Sequence, residues 1–499
     1  MEFQRVLIAN RGEIAVRVAR TLREMGIQSV AVYSEADARA LHVLVADTAL
    51  PIGPPESTES YLHMDRLLEA ARRAGVQAIH PGYGFLSENA EFARRVQEAG
   101  LVFIGPSPEA MEVTGDKLQA RRRAQRAGVP VIPGTTEALS DALEALAAAR
   151  RIGFPVLLKA ALGGGGKGMR VVRTEEEFVS LFNLAFQEAQ AAFGDGRLYV
   201  EKLIENPRHV EIQILADHHG NAVYIGEREC SVQRRHQKVL EETPSPVVDE
   251  RLRRDMGEAA VALALETGYT NAGTVEFLVD SRGKFYFLEV NARLQVEHPI
   301  TELRFGLDLV EWQLRVAMGE RLPFRQQDLK GRGHAIEARI YAEDPFHDHM
   351  PSPGTIRYLA EPGGPGIRLD SGIYQGFEVP IYYDPILSKL VAWGETREQA
   401  LRRLRRALQE YLILGLQTNI PLHLGILQDP RFQSGEYDTG FLNDFSLPAQ
   451  ADPPELLMGA ALLGWTGHRT TARPLQEART GRGMSTWRAL FFPGKVRGI

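Results

Sequence analysis

The chain has 499 residues and a formal net charge of −6, and 44% of its residues are hydrophobic while 24% are charged. A chain of this length exceeds the size at which one hydrophobic core usually stops growing, so we expect two to four domains. The small negative charge excludes a general attraction to nucleic acids or anionic membranes, and the single cysteine, Cys230, excludes an internal disulfide and favours a reducing compartment.

The sequence shows no targeting or membrane segment. Residues 1–5 lead directly into a short strand and lack the apolar stretch and cleavage site of a signal peptide. The longest apolar patches, such as residues 456–463, are far shorter than the roughly 20 residues that cross a bilayer. We therefore expect a cytoplasmic protein.

The N-terminal segment predicts a small open α/β sheet. A strand at residues 6–9 is followed by a polar turn and a helix, and further strands are predicted at residues 29–33 and 78–79. The apolar face of the helix consists of Ile14, Val18, Leu22 and Met25. This arrangement is Rossmann-like but lacks the dinucleotide fingerprint. His80 is predicted to be a buried, hydrogen-bonded histidine.

Four consecutive glycines, residues 163–166, lie between two predicted strands, with Lys159 before them and Lys167 after them. Consecutive glycines cost conformational entropy, and the usual compensation is a backbone that approaches an anion closely. The run is not a Walker loop, because Lys167 is followed by a glycine and a strand instead of Ser or Thr and a helix. A glycine run alone is more often a flexible loop, but with Lys159 and the carboxylates described next it indicates ATP.

Residues 274–291 predict a buried β-hairpin that brings two carboxylates together. If the turn is centred on Arg282 and Gly283, Glu276 faces Glu289 across the two strands. Like charges in directly opposed positions are destabilising unless something neutralises them. Asn291 projects from the same strand face as Glu289, so the set favours Mg²⁺ or Mn²⁺. The alternative is a structural salt bridge of these acids with Arg282 or Arg293.

Beyond the hairpin, residues 332–345 predict a strand that enters a turn, and residues 397–412 predict an amphipathic surface helix. The inward face of that helix consists of Ala400, Leu401, Leu404 and Leu408. Its arginines are interpreted as a solvated face. Cys230 is interpreted as a small buried thiol without a catalytic role.

The chain resembles biotin carboxylase, an ATP-grasp enzyme, over residues 1–446. The resemblance rests on residues 8–15 (IANRGEIA), 80–89 (HPGYGFLSEN), 205–211 (ENPRHVE), 233–238 (QRRHQK) and 289–299 (EVNARLQVEHP).

This resemblance implies an α/β fold, α+β overall, with a Rossmann-like N-terminal domain followed by an ATP-grasp fold with a mobile lid and a C-terminal biotin carboxylase domain. The corresponding segments are residues 1–115, residues 116–330 with the lid at 131–203, residues 331–446, and a linker with a basic tail at 447–499.

The resemblance also implies that ATP, Mg²⁺ or Mn²⁺, and biotin are the cofactors. Its implied metal ligands are Glu276, Glu289 and Asn291. The residues implied to bind the nucleotide are Lys117, Lys159, Gly164, Gly165, Gly166, Glu201, Lys202, Leu203, Ile204, His209, Gln233, His236, Glu276 and Glu289.

The implied chemistry begins with phosphorylation of bicarbonate by ATP to carboxyphosphate, which breaks down to CO₂ and phosphate before N1 of biotin attacks the CO₂. Arg293, with Gln295 and the Val296 N–H, would hold the bicarbonate, and Glu297 would act as the general base. Lys238 would contact the carboxyphosphate. Arg339 would stabilise the biotin enolate. The alternative role of Glu297 is an ion pair with Arg293, which is compatible with its role as base because such a pair would also orient the base.

No Met-Lys-Met sequence occurs in the chain, so the resemblance implies that biotin arrives on a separate carrier protein and that carboxyl transfer takes place on carboxyltransferase subunits. The expected function is the first half-reaction of an acetyl-CoA or acyl-CoA carboxylase. A homodimer is implied, with Arg20 and Glu24 at positions that match its interface. The basic tail is either a docking segment for another protein of the complex or a disordered end.

The glycine loop departs from the pattern of bacterial acetyl-CoA carboxylase subunits. It is preceded by Ala161 and Leu162 where those subunits have Ser-Gly, and Lys167 replaces an arginine. The acyl acceptor therefore stays open. Two other functions remain in competition: an ATP-grasp ligase that activates a carboxylate for attack by an amine, and a non-catalytic nucleotide-binding or assembly subunit.

Overall fold

The structure is a computed structural model that describes residues 2–161, 169–235 and 237–447. The predicted tail, apart from Leu447, lies outside the described residues, as do Gly164, Gly165, Gly166 and His236. Within the described ranges, no helix is both long and apolar enough to cross a membrane.

The N-terminal region is a five-stranded parallel sheet with the strand order β3-β2-β1-β4-β5. Its strands are β1 Arg5–Ile8, β2 Gln28–Ser34, β3 Thr48–Gly53, β4 Ala78–His80 and β5 Val102–Phe103. Its helices are α1 Gly12–Glu24, α2 Leu41–Val45, α3 Met64–Ala74, α4 Ala90–Glu98 and α5 Pro108–Gly115. The predicted open α/β sheet is confirmed.

Helix α1 buries Ile14, Val18 and Leu22, as its apolar periodicity predicts, whereas Met25 lies one residue beyond its end. His80 is fully buried, and burial lowers its pKa to about 4. Its Nδ1 accepts a hydrogen bond from the Gly82 N–H at 3.0 Å, so it is a neutral, hydrogen-bonded histidine as predicted.

The glycine run connects two strands of a small separate sheet, as expected. The elements of this region are α6 Lys117–Arg126, α7 Ala142–Ile152, β6 Val156–Ala160, β7 Arg170–Val172, α8 Phe178–Phe193 and β8 Leu198–Lys202. Strands β7, β6 and β8 pair in that order, all antiparallel. This sheet packs on α7 and α8 around its own apolar cluster, which includes Val156, Leu158, Phe182 and Leu198.

The largest feature is an eight-stranded antiparallel sheet with the order β13-β12-β9-β10-β11-β14-β21-β19. Its strands are β9 Arg208–Ala216, β10 Ala222–Arg234, β11 Gln237–Thr243, β12 Asn271–Val279, β13 Phe285–Asn291, β14 His334–Tyr341, β19 Ile367–Ser371 and β21 Ile386–Gly394. The sheet is continuous across residue 330, because β14 pairs with β11.

Short strands and helices surround this sheet. The strands are β15 Glu343–Asp344, β16 Met350–Pro351, β17 Gly354–Thr355, β18 Tyr358–Ala360, β20 Glu378–Val379 and β22 Leu412–Leu414. The helices are α9 Glu250–Glu266, α10 His298–Phe305, α11 Leu309–Ala317, α12 Arg397–Glu410, α13 Ile420–Ile426 and α14 Pro430–Ser434. The predicted helix at 397–412 is two residues too long, because Leu412 already pairs with Ala360 in a strand.

The β12–β13 hairpin confirms the predicted pairing of Glu276 with Glu289. The predicted turn centre is half a residue off, since the Asp280 N–H donates to the Lys284 carbonyl at 2.8 Å. A register shift between Glu276 and Phe277 leaves Leu288 as an extra residue on β13 and restores the expected register farther from the turn.

Candidate active site

Lys238 on β11 lies at the centre of a buried cluster of carboxylates. Its Nζ donates to Glu211 at 2.6 Å, to Glu276 at 2.8 Å and to Glu297 at 2.7 Å. Glu211 and Glu276 are brought together because they are register partners on β9 and β12. An ammonium group has three donors, so all three are engaged with carboxylates here. An incoming anion must replace one of these carboxylates in order to bind Lys238.

Glu297 ends the loop between β13 and α10 and is fully buried. Besides Lys238, Arg339 donates to its carboxylate, at 3.0 Å. Burial opposes its ionisation, but Lys238, Arg339 and Arg228 outweigh burial and hold the pKa of Glu297 well below its usual range. Glu297 is therefore a buried, ionised carboxylate that two cations contact directly.

Hydrogen bonds hold both the side chain and the backbone carbonyl of Arg339, on β14. Its Nε donates to Glu241 on β11 at 2.6 Å, and its backbone carbonyl accepts a hydrogen bond from Asn419 Nδ2 at 2.9 Å and lies 2.8 Å from His423 Nε2. Burial lowers the pKa of the guanidinium, but Glu241 and Glu297 outweigh burial and raise it. Glu241 was not among the residues predicted from the sequence.

Arg293 does not form the ion pair with Glu297 that was the alternative role of that glutamate, because Lys238 and Arg339 occupy the Glu297 carboxylate. Its Nε donates instead to Glu88, at 2.8 Å, and its two terminal nitrogens donate to Gln295 at 3.0 Å and to Asn291 at 3.2 Å. Glu88 also accepts the Ala292 N–H at 2.8 Å. Glu88 lies in the stretch 80–89, on which the family resemblance rests, but the sequence predicted no role for it. Its contact with Arg293 joins residues 205 positions apart, and sequence periodicity does not reveal such a contact.

The donors of the predicted metal site fit Mg²⁺ or Mn²⁺. Glu276, Glu289 and Asn291 offer side-chain oxygen atoms on the paired strands β12 and β13. Burial and the charge of Glu276 raise the pKa of Glu289. A divalent cation would remove the repulsion between the two carboxylates. The Asn291 Nδ2 has no hydrogen-bond partner although it is buried. The salt bridge with an arginine that was the alternative prediction is not the one that forms at Glu276. Lys238 and His209 contact this carboxylate instead.

In the described part of the chain, two groups of three His, Cys or Glu side chains bring their ligand atoms close enough together to hold a metal ion. Only one of these groups shares a residue with the predicted metal site. The groups are His209 with Glu211 and Glu276, and Glu211 with Cys230 and Glu297. Glu289 belongs to neither group. Cys230 is fully buried, and burial raises the pKa of its thiol well above the usual range, so the thiol is not ionised.

The residues expected on the nucleotide side occupy two regions. On the small sheet, Lys159 contacts Glu201 at 2.6 Å, the Lys202 Nζ donates to the Phe154 carbonyl at 2.9 Å, and the Leu203 N–H donates to the Pro155 carbonyl; Ile204 is half-buried. On the large sheet, His209 is 2.9 Å from Glu276.

Two further expected nucleotide ligands lie close to this chemistry. Gln233 is the register partner of Lys238. Lys117 begins α6, and its charge lowers the pKa of Glu289, against the larger effects of burial and Glu276. Gly164, Gly165, Gly166 and His236 lie outside the described residues.

Three family models match consecutive parts of the chain. The biotin carboxylase N-terminal domain matches residues 2–111, the ATP-binding domain of the carbamoyl-phosphate synthase L chain matches residues 116–325, and the biotin carboxylase C-terminal domain matches residues 337–444. The chain is 51% identical over 446 residues to the biotin carboxylase of Nostoc sp., with 89% of this chain and 100% of the relative covered. The chain belongs to the biotin carboxylase family.

Other relatives of the chain belong to carboxylases that are named after different substrates. A pyruvate carboxylase subunit of Methanothermobacter thermautotrophicus is 52% identical over 443 residues, with 89% of this chain and 90% of the relative covered. The solved biotin carboxylase domain of the Hydrogenobacter thermophilus 2-oxoglutarate carboxylase has a TM-score of 0.84 and 47% identity, with 89% and 98% of the two chains covered. Membership confirms the expected ATP-grasp fold and an ATP-dependent biotin carboxylase activity, while the acceptor differs among these relatives.

Proposed function

We propose that this chain catalyses the ATP- and bicarbonate-dependent carboxylation of N1 of biotin carried on a separate carrier protein, as the first half-reaction of an acetyl-CoA or acyl-CoA carboxylase. The observation that carries the proposal is a buried, ionised Glu297 in contact with the cations Lys238 and Arg339, on the same short loop as Arg293. A base in contact with two cations, with a third cation on the same loop, suits a reaction in which an anion is both bound and deprotonated.

Glu297 is a weak base while Lys238 and Arg339 contact it, because both cations lower its pKa. When bicarbonate and the phosphoryl group draw these cations toward themselves, the pKa of Glu297 rises and its carboxylate becomes able to take the bicarbonate proton. The freed bicarbonate oxygen then forms a bond to the γ-phosphorus of ATP, the bond to ADP breaks, and carboxyphosphate results. Arg293 would orient the bicarbonate, with Gln295 and the Val296 N–H completing the pocket.

Glu276, Glu289 and Asn291 would hold the divalent metal ion, which when bound neutralises charge on the transferred phosphoryl group. Lys117 and Lys159 would contact the ATP phosphates. The segment 201–204, His209, Gln233, His236 and the glycines 164–166 would contribute to nucleotide binding. The related 2-oxoglutarate carboxylase domain was solved with MgADP, ADP and bicarbonate, which supports a nucleotide, a metal ion and bicarbonate as the ligands.

Carboxyphosphate then breaks its C–O bond to give CO₂ and phosphate, and the phosphate takes the N1 proton of biotin. Arg339, with Glu241 orienting it, would stabilise the negative oxygen of the deprotonated biotin. N1 forms a bond to the carbon of CO₂ to complete the product. Carboxyltransferase subunits would use that product, with acyl-CoA as the predicted acceptor. Because one of the relatives is a pyruvate carboxylase subunit, a 2-oxoacid is the competing acceptor.

The test is phosphate release from MgATP in the presence and absence of bicarbonate and of free biotin. We expect a rate that requires bicarbonate and increases with biotin. A bicarbonate-dependent rate that ignores biotin would favour a ligase with another acceptor. Nucleotide binding without any turnover, even when a carrier protein is supplied, would favour the non-catalytic role in assembly instead.

A further inference from the structure

Two side chains contact successive backbone carbonyls of the loop that contains Arg293 and Glu297. The Nδ1 of His298 is 2.8 Å from the Gln295 carbonyl, and the Lys389 Nζ donates to the Val296 carbonyl at 2.9 Å. In a planar trans peptide unit, the C=O and the following N–H point in opposite directions. The two contacts therefore set the directions of the Val296 and Glu297 N–H groups, away from His298 and Lys389.

His298 makes this contact as a neutral donor. It is fully buried, and burial, followed by the charges of Lys389, Arg17 and Arg368, holds its pKa well below the usual range. Its Nε2 has no hydrogen-bond partner, although it lies 3.9 Å from Glu302. A neutral ring with its proton on Nδ1 satisfies the Gln295 carbonyl, so the distance to Glu302 does not represent an ion pair.

Lys389 is a fully buried lysine in the middle of β21. It is the register partner of Arg339 on β14 and of Asp370 on β19, so its side chain projects from the same sheet face as that of Arg339. A buried ammonium group is strongly destabilising unless it is paired and hydrogen-bonded. The placement of Lys389 on this face therefore calls for a role.

The carboxylates near Lys389 do not satisfy its hydrogen-bond donors. Glu13, in the first turn of α1, has an oxygen 3.3 Å from the Lys389 Nζ but in poor hydrogen-bond geometry, and neither oxygen of Glu337 has a hydrogen-bond partner. Burial raises the pKa of Glu13 to about 7, with Lys389 opposing that rise. The better-formed hydrogen bond of Lys389 is the one to the Val296 carbonyl.

We propose that Lys389 is a positioning residue for bicarbonate: together with His298 it fixes the peptide units of residues 295–297, and through them the Val296 N–H and the Glu297 side chain. Lys389 joins three distant parts of the chain, since it lies on β21 and contacts both Glu13 in the first turn of α1 and the loop that precedes α10. This inference rests on the proposed function, in which that loop binds and deprotonates bicarbonate.

The first variant is Lys389→Met, which removes the donor and the charge while keeping a similar volume. Because a displaced binding group affects the substrate it contacts, we expect the KM for bicarbonate to rise by at least about tenfold while the KM for ATP changes by less than about twofold. A substitution that only lowered the fraction of folded enzyme would reduce kcat and leave both KM values unchanged. That result, or an equal rise in both KM values, would overturn the inference.

The matched control is Arg253→Met, which breaks the ion pair of Arg253 with the buried Glu227 at 2.7 Å, far in sequence from the loop. It should lower the melting temperature without a selective change in the KM for bicarbonate.

A double variant separates positioning from simple charge neutralisation. Lys389→Met combined with Glu13→Gln removes both partners, so it should recover thermal stability relative to Lys389→Met while the high KM for bicarbonate persists. If the double variant restores the KM for bicarbonate, Lys389 serves only to neutralise Glu13 and the inference is wrong. The unmodified enzyme is assayed alongside: absence of bicarbonate-dependent turnover in it would reject the proposed function itself, which is a different result from an unaltered Lys389→Met variant.

Discussion

At the scale of single residues, the site is governed by competition for a few cations. Lys238 contacts three carboxylates and Arg339 contacts two. Each carboxylate is buried, and a cation within hydrogen-bond distance stabilises its ionised form against the effect of burial. The same contacts that keep Glu297 ionised also make it a weak base, so its reactivity depends on substrates that take these cations over.

Replacing Glu297 with Gln should abolish bicarbonate-dependent turnover and leave nucleotide binding nearly intact. Lys238 keeps Glu211 and Glu276, and Arg339 keeps Glu241, so no buried cation loses all of its partners and the fold should persist. We expect bicarbonate-dependent phosphate release to fall by a factor of at least about 100. ATP binding, measured by calorimetry, should change by less than about twofold.

The control for this variant is Glu227→Gln, which also neutralises a buried carboxylate but one that contacts Arg253. It should lower stability without a comparable loss of turnover. Full activity in the Glu297→Gln enzyme would remove Glu297 as the base.

At the scale of elements, the sequence predicted what local patterns encode. Two apolar runs and the turn residues between them were enough to place Glu276 opposite Glu289, and the spacing of apolar residues was enough to predict α1. The register shift at Leu288 was not predicted, because a bulge follows from how β12 and β13 fit their neighbours in the sheet. The partner of Arg293 was missed for a related reason: Glu88 reaches it only through the packing of the N-terminal region against the hairpin.

His80 connects two elements in a way that makes stability depend on pH. Its Nδ1 accepts the Gly82 N–H after β4, and its Nε2 lies 3.1 Å from Gln313 on α11. Burial lowers its pKa to about 4, below the value of about 6.5 in an unfolded chain. Between these values the unfolded state binds more protons, so this contribution to stability is complete above about pH 6.5 and is lost as the pH falls through about 4.

We therefore expect the His80→Asn variant to be less stable than the unmodified protein at pH 7 but to approach it as the pH decreases toward 4. The difference in free energy of unfolding should shrink by up to about 1.4 kcal/mol per pH unit. Glu13 and Glu241, whose pKa values burial raises to about 7, act in the opposite direction between their unfolded value and 7, but equally in both proteins.

Melting temperatures measured by calorimetry from pH 7 to pH 4.5 would check this expectation. Ala78→Gly, in the same strand, removes buried volume without a titratable group, so its deficit should not vary with pH. A deficit of His80→Asn that stayed constant or grew on acidification would contradict the neutral state of His80.

At the scale of the whole molecule, helix α1 leads from the site to an exposed surface. Its polar face begins with two buried residues, Glu13, near Lys389, and Arg17, which contacts Glu302 at 2.8 Å. Because residues three and four positions apart share a helix face, the same face continues with the exposed Arg20 and Glu24, the two residues predicted to lie at a homodimer interface. They are one helical turn apart, so a twofold axis near the helix could place Arg20 against the partner's Glu24 and repeat the contact.

This arrangement predicts the result of a charge exchange. Arg20→Glu or Glu24→Arg alone would place like charges across the axis and should raise the dimer dissociation constant by at least about tenfold, because opposed like charges at an interface cost several kcal/mol. The double variant restores opposite charges and should recover the dimer. Sedimentation velocity over a range of concentrations measures the change, with Arg73→Glu, an exposed charge reversal on α3, as the control. If both single variants dimerise like the unmodified chain, or if the double variant is weaker than either, then α1 does not form the interface.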